Sequence, residues 1–278
     1  MGTPPDALLA REETSGAIVG LAASHRHKRE AIGLQVITVR THRRQGIGSR
    51  LLHQVCERAR GRGDERVRTR VDLMAHVYAE PFLIANGFLL ESSALQIDSL
   101  LTVGGDSVIG LRNRLAASGK IPAGARIVET RELPREAALR AYRELIAANL
   151  PGRPELAEYI VTSPGFDAAV LTTGDRLAGM LAGVRCDADG VGWLNAVVVA
   201  PEFRGGWGWA NVLLMAYAFE RSLAAGASRL RFEIDESNWK MLQGAGRAQG
   251  TIIGRPARFV RELARPAPVS ASDRRERS

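Results

Sequence analysis

Apolar positions along this chain fall into two arrangements that occur in the same order twice. The run Val36-Ile37-Thr38-Val39 is followed, after a glycine-bearing loop, by Ile47, Leu51 and Val55 at helical spacing. An apolar run that gives way to a 3.6-residue period predicts a strand turning into an amphipathic helix that packs back on it. Further on, Trp193, Leu194, Ala196, Val197, Val198 and Val199 form a second apolar strand, and Val212, Met215, Phe219 and Leu223 give the next helix an apolar face. That helix is expected to end near Gly226, a natural C-cap, after which residues 229–234 alternate like a strand. A repeat this widely spaced indicates two domains of one kind, not a solenoid of short units.

The two halves are unequal. In the second, residues 125–133 read as a strand and 134–150 as a helix with Ala138, Tyr142, Leu145 and Ile146 inward. A second helix over 154–160 and strands over 168–172 and 177–184, joined at Thr173-Gly174-Asp175, complete the run. The first half begins almost at once with strand-like segments at 7–11, 17–24 and 34–40, so an opening strand and two helices are absent. The expected class is α/β with a mixed sheet. The expected division is a shortened domain over 1–103, a linker over 104–124 with a short helical piece, a complete domain over 125–264, and a disordered tail of Pro, Ser and mixed charges over 265–278.

Chemistry concentrates in the first loop, Arg43-Arg44-Gln45-Gly46-Ile47-Gly48-Ser49. Glycines let the backbone turn tightly, and the helix that follows directs free N–H groups at whatever precedes it, so an anion is the expected ligand. The loop lacks the GxGxxG of dinucleotide sites and the GK[ST] ending of a P-loop. It resembles the acyl-coenzyme A loop of the GNAT acetyltransferase superfamily, written Arg or Gln, two residues, Gly, one residue, Gly or Ala, which Arg43, Gly46 and Gly48 match. Ala79, Phe82, Gly87 and Phe88 resemble the later block of that superfamily, a short helix ending in Gly-Phe, and Asn238 resembles the asparagine many members carry after the fifth strand.

The resemblance implies two tandem GNAT-like domains. It also implies an acyl-coenzyme A co-substrate, acetyl-CoA or another short acyl-CoA, with no metal. Coenzyme A contacts would fall on Val36, Ile37 and Thr38, whose backbone would supply the oxyanion donor, and on Arg43, Arg44, Gln45, Gly46, Ile47, Gly48 and Ser49. In the second half they would fall on Val199, Arg204, Gly205, Gly206 and Gly208. Two alignments stay open there: matching Arg204 puts Trp207 where glycine belongs, while matching Gly208 and Ala210 puts Gly205 in the arginine's place. The implied reaction is acyl transfer to an amine of a small-molecule acceptor. The tyrosine that often protonates the leaving thiolate is replaced by Leu83 in one half and Ala245 or Gly246 in the other. His76, Glu233 and Asn238 are the substitute catalytic candidates, with Tyr78, Glu80, Asp235 and Glu236 nearby. The missing acids keep a non-catalytic acyl-CoA sensor or scaffold in view, as well as decarboxylation or hydrolysis of an acyl-CoA.

Charge sharpens the loop's reading. Between His25 and Arg70 there are thirteen Lys and Arg against four acids, whereas the whole 278-residue chain carries a net charge of +8. A nucleic-acid partner is not expected, since no interleaved aromatics or recognition motif accompany this charge; only three lysines occur, so arginine richness is also a matter of composition. No apolar stretch is long enough to span a bilayer, and the start lacks a secretion signal. The two cysteines, Cys56 and Cys186, suit a reducing cytoplasm. Oligomeric state is left open, a homodimer included.

Overall fold

A computed structural model describes residues 6–149, 156–162, 167–205 and 208–263. From the N-terminus, the chain forms β1 (Asp6–Arg11), β2 (Ile18–His27), β3 (Glu30–Thr38), α1 (Ile47–Gly61), β4 (Arg66–Asp72), α2 (Ala79–Ala85), β5 (Leu89–Leu100) and α3 (Asp106–Ala117). There follow β6 (Ala125–Glu129), α4 (Arg135–Asn149), α5 (Leu156–Thr162), β7 (Asp167–Thr173), β8 (Arg176–Cys186), β9 (Val191–Leu194) and β10 (Val197–Val199). The chain closes with α6 (Trp209–Ala224), β11 (Arg229–Asp235), α7 (Trp239–Arg247), β12 (Thr251–Gly254) and β13 (Pro256–Glu262). The expected tail lies outside the described residues.

Contacts divide the chain into two compact units in a way the sequence reading does not anticipate. One comprises the residues up to Ala94 together with those from Gly254 onward; the other is Leu95–Ile253. The expected boundaries at 103 and 125 therefore differ from the observed ones. The cause is strand pairing, because β13 leaves the half in which its sequence lies and joins the sheet of the first unit. The expected linker also differs, being mostly the twelve-residue helix α3.

The first unit's strands run in the order β1-β2-β3-β4-β13-β5. β13 is antiparallel to β4 along its whole length, from Pro256 opposite Asp72 to Glu262 opposite Arg66, and pairs with β5 from Ala257 opposite Ser93 to Val260 opposite Leu89. One apolar core lies under α1, where Leu52, Val55 and Cys56 meet Val67, Phe88 and Phe259. Burial pushes the Cys56 thiol up, which keeps it inert.

The second unit orders its strands β5-β11-β9-β8-β7-β6, with β10 on β8 and β12 on β5. The far half of β5 belongs here: the Leu101 N–H donates to the Ser228 carbonyl at 3.0 Å and Asp98 pairs with Arg229 at 2.8 Å. This unit has two cores. One lies beneath α6, with Leu181, Leu214, Phe219 and Leu230, and the other beneath α4 and α5, with Tyr142, Ile146, Ile160 and Met180. The Tyr142 hydroxyl bonds Thr130, and burial raises its pKa to about 12.

Equivalent rows show what the missing helices of the first half leave behind. In the second unit Val170, Met180 and Val198 stand side by side across β7, β8 and β10 at 2%, 0% and 8% exposure, covered by α4 and α5. The matching row of the first unit is Leu9, Leu21 and Ile37 across β1, β2 and β3, and there Leu9 is 52% and Ile37 56% exposed. Among the described residues, no helix covers this row of the first unit as α4 and α5 cover that of the second.

Because Phe259 is fully buried in a strand that joins β4 to β5, Phe259→Ala is expected to cost about 3–5 kcal/mol in urea unfolding of the full chain. A fragment ending at residue 103 lacks β13 altogether and is expected to show no cooperative transition; a folded 1–103 fragment would contradict this role of the strand.

Candidate functional site

The site begins with a strand pair that stops pairing. β3 and β4 run parallel and meet only at Glu30 opposite Arg66 and Ala31 opposite Val67, although β3 continues to Thr38 and β4 to Asp72. The hydroxyl of buried Thr69 donates to the Leu34 carbonyl at 2.8 Å, so a side chain replaces the ladder where the strands begin to part. Beyond it, Val36, Ile37 and Thr38 pair with β2 on one side, opposite Ala22, Leu21 and Gly20, and present their other edge to the gap.

The loop after β3 is held in an unusual backbone state. Arg40–His42 make a short 3-10 turn, Arg44 has φ +66° and Gly46 has φ +78°. A non-glycine residue in the left-handed region is uncommon. Gly46 precedes α1, whose first turn has no side-chain cap, leaving its leading N–H groups open to a ligand. A β-carbon on residue 48 would touch the Phe82 ring and Thr38 Oγ1, both at 3.5 Å, so Gly48 lies where α2 and the strand end come close. The Arg43 guanidinium turns back and donates through Nε to the Thr38 carbonyl at 3.3 Å.

The same construction recurs in the second unit and settles the alignment. Arg204 donates through Nε to the Val199 carbonyl at 3.2 Å, and Gly208, at φ +64°, precedes α6, which also lacks a side-chain cap. Arg204 therefore matches Arg43 and Gly208 matches Gly46, and the second loop carries one extra residue. Each sequence alignment was half right, because an insertion is invisible to an ungapped comparison. Gly205 lies in this loop; Gly206 and Trp207 lie outside the described residues. Arg204 also hydrogen-bonds Asn149, at the end of α4. The strands part here as well: β9 pairs with β11 through Leu194 opposite Phe232, the chain breaks at Asn195 and Ala196, and β10 continues on β8 alone. At the rung before the last, the Trp193 indole donates to Asp187 at 2.8 Å and lies 5.3 Å from the Arg231 guanidinium.

Ion pairs consume much of the positive charge around the first loop. Arg26, Arg29, Arg58, Arg60, Arg62, Arg66 and Arg68 all face carboxylates. Arg40, Arg43, Arg44 and Arg50 have no carboxylate partner among the described residues, and all four belong to the loop or the first turn of α1.

The catalytic candidates are dispersed. His76 lies in the first unit, exposed on the turn after β4, with Tyr78 79% exposed nearby. Leu83, at the place of the family's tyrosine, is buried in the core. Glu233 and Asn238 belong to the second unit: Glu233 is exposed on β11, and Asn238 caps α7 by accepting the Met241 N–H at 3.3 Å. Ala245 is a buried core residue. Among the described residues there is no cluster of His, Cys, Asp and Glu that could hold a metal ion, and no helix long and apolar enough to cross a membrane.

The strand–loop–helix cradle thus occurs twice, once in each unit. Residues 2–88 match the acetyltransferase (GNAT) family. The structure is similar to a tandem GNAT protein of the clavulanic acid biosynthesis pathway, at 19% identity and TM-score 0.58, covering 95% of this chain and 84% of that one. It is also similar to a GCN5-related N-acetyltransferase from Sphaerobacter thermophilus (17% identity, TM-score 0.61, 94% and 82% covered) and to one from Kribbella flavida (13%, 0.55, 91% and 89%). None of the curated proteins matches the chain in sequence. The chain has a tandem GNAT fold, and residues 2–88 are the part that matches the acetyltransferase (GNAT) family.

The turn that carries His76 is anchored by Asp72. The Arg255 N–H, at 2.8 Å, and the Met74 N–H, at 2.9 Å, both donate to its Oδ1 and hold the carboxyl below the ordinary range. A depressed folded-state pKa contributes stability above the unfolded value, near 4, that is lost as pH falls through the folded one. Asp72→Asn is therefore expected to destabilise the protein at pH 7, and the difference from wild type to shrink as urea unfolding is repeated below pH ~4.

Proposed function

We propose that the protein transfers an acetyl or other short acyl group from acyl-coenzyme A to an amine of a small-molecule acceptor, with the coenzyme held by the first unit. The observation that carries this reading is the set of four arginines without carboxylate partners gathered at an uncapped helix start. A ligand with several phosphate charges fits that donor set, as electrostatic complementarity requires. Arg40, Arg43, Arg44 and Arg50 would hold the phosphates, with the backbone of Gln45 to Ser49. The parted edge of β3 at Val36 to Thr38 would offer N–H donors to the oxyanion. When bound, the thioester supplies the electrophilic carbonyl: a carbon–nitrogen bond forms, the carbon–sulfur bond breaks and the thiolate takes a proton.

His76, on the turn beyond the strand end, is the proposed proton carrier of the first unit; Glu233 beside Asn238 is its counterpart in the second. The second cradle, at Val199, Arg204, Gly205, Gly206 and Gly208, would take a second acyl-coenzyme A. A chain with only two cysteines, Cys56 and Cys186, suits a reducing, cytoplasmic setting. A non-catalytic acyl-coenzyme A sensor is favoured by one observation, that both places of the family's acid hold buried apolar side chains, Leu83 and Ala245.

Arg44→Ala and Arg50→Ala are each expected to weaken coenzyme A binding by about tenfold in calorimetry, the worth of one charge-assisted contact. His76→Ala should lower thiol release in the presence of amines by about 10²- to 10⁴-fold while leaving coenzyme A affinity unchanged. Binding without release across a broad amine panel would favour the sensor, and a carboxylic acid or decarboxylated product in mass spectra would show other acyl-coenzyme A chemistry.

A further inference from the structure

The second unit has a cavity of about 170 Å³, partly open to solvent, between α3, α6 and α7. Its walls are mostly apolar, with Val108 from α3, Met215 and Phe219 from α6 and Met241 from α7, and the small residues Ala245 on α7 and Ala248 just after it leave the space open. One buried polar atom stands in the lining. Ser99 is 1% exposed, and its Oγ has no hydrogen-bond partner among the described residues. A β-carbon on residue 104 would lie 2.1 Å from that oxygen, so Gly104 is what admits the hydroxyl. Native proteins rarely leave such a group unmatched without a bound water or ligand.

This cavity extends beyond the cradle that both halves share and meets it only at Asn211 and Ala245. Counted from the left-handed glycine that opens each helix, α6 presents Asn211, Met215 and Phe219 to it, while the same positions of α1 are Ser49, His53 and Glu57. His53 and Glu57 are exposed and 3.8 Å apart, a solvated polar face. In the second unit that face is mostly apolar and partly covered by α3, which packs on α6 with Arg112 and Glu220 paired at 2.7 Å.

We infer that this cavity is a binding site for a small uncharged molecule of about ring size, apolar over most of its surface, with one hydrogen-bonding atom directed at Ser99. An apolar cavity of about 150 Å³ accepts benzene, so the volume is sufficient. The charged side chain in its lining, Arg247, is exposed, and no charge is buried to meet an ion. The assignment does not depend on acyl-coenzyme A binding in the first unit.

Phenol and toluene, titrated into the full-length protein and followed by calorimetry and by the shift in Tm, test it. Phenol is expected to bind more tightly than toluene. Ser99→Ala should weaken phenol by about 3- to 10-fold, the range of one hydrogen bond, and leave toluene unchanged. Ala248→Leu fills the space and should abolish both; if that variant does not fold, Val108→Phe on α3 makes the same test. Failure of both probes to bind, or binding that survives a folded filling variant, overturns the site. Equal affinity for phenol and toluene means that water satisfies Ser99 and overturns the polar anchor, and displacement of phenol by coenzyme A would merge the cavity with the acyl-coenzyme A site.

Discussion

A parallel strand pair that separates after two rungs is the constraint on which the candidate site depends. Parted backbone is costly unless each strand is held from its other side, since unmet N–H and C=O groups cannot be buried freely. β3 is held by β2 up to Thr38, and β4 is held along its full length by β13. The gap that exposes Val36 to Thr38 is therefore stabilised by a strand from the far end of the chain. Thr69, bonded to the Leu34 carbonyl, marks where the ladder yields to the gap.

The repeat of this construction in the second unit, with a different solution to the same break, separates what is shared from what is local. Both halves have an arginine folded onto the last strand carbonyl, a left-handed glycine and an uncapped helix. They differ in what surrounds those features. The second unit has a helical layer over Val170, Met180 and Val198 that the first lacks over Leu9, Leu21 and Ile37, and it has α3 against α6 where α1 is solvated. The cradle is thus common property, and the helical layer of α4 and α5 and the cavity beside α3 are individual additions.

Electrostatics act here by selection rather than abundance. Of the many arginines between His25 and Arg70, most are neutralised by Asp6, Glu30, Glu57, Asp64, Glu65, Glu91 and Glu262, and such exposed pairs contribute little stability singly. Their effect is to leave the field concentrated at Arg40, Arg43, Arg44 and Arg50. Some of the compensating acids lie far from the basic segment in sequence, which is why a running charge count overstates the basic surface.

The sequence by itself determined the strand–loop–helix cradles, the helical faces of α1, α4 and α6, the repeat and the shortened first half, because periodicity and glycine placement act over a few neighbouring residues. It also located Gly226 at a helix end, where local capping decides. Only the tertiary structure decided that Arg204 and Gly208 both match the first loop across an inserted residue, that the helical piece expected in the linker runs over 106–117 and packs on α6, and which arginines keep no carboxylate partner. The assignment of β13 to the first unit was beyond any local reading, since hydrogen bonds between strands carry no sequence signal for their partner. Pro256 to Glu262 has the alternation of a strand, but only the register against Arg66 to Asp72 shows where that strand goes, and the open edge of the site follows from that pairing.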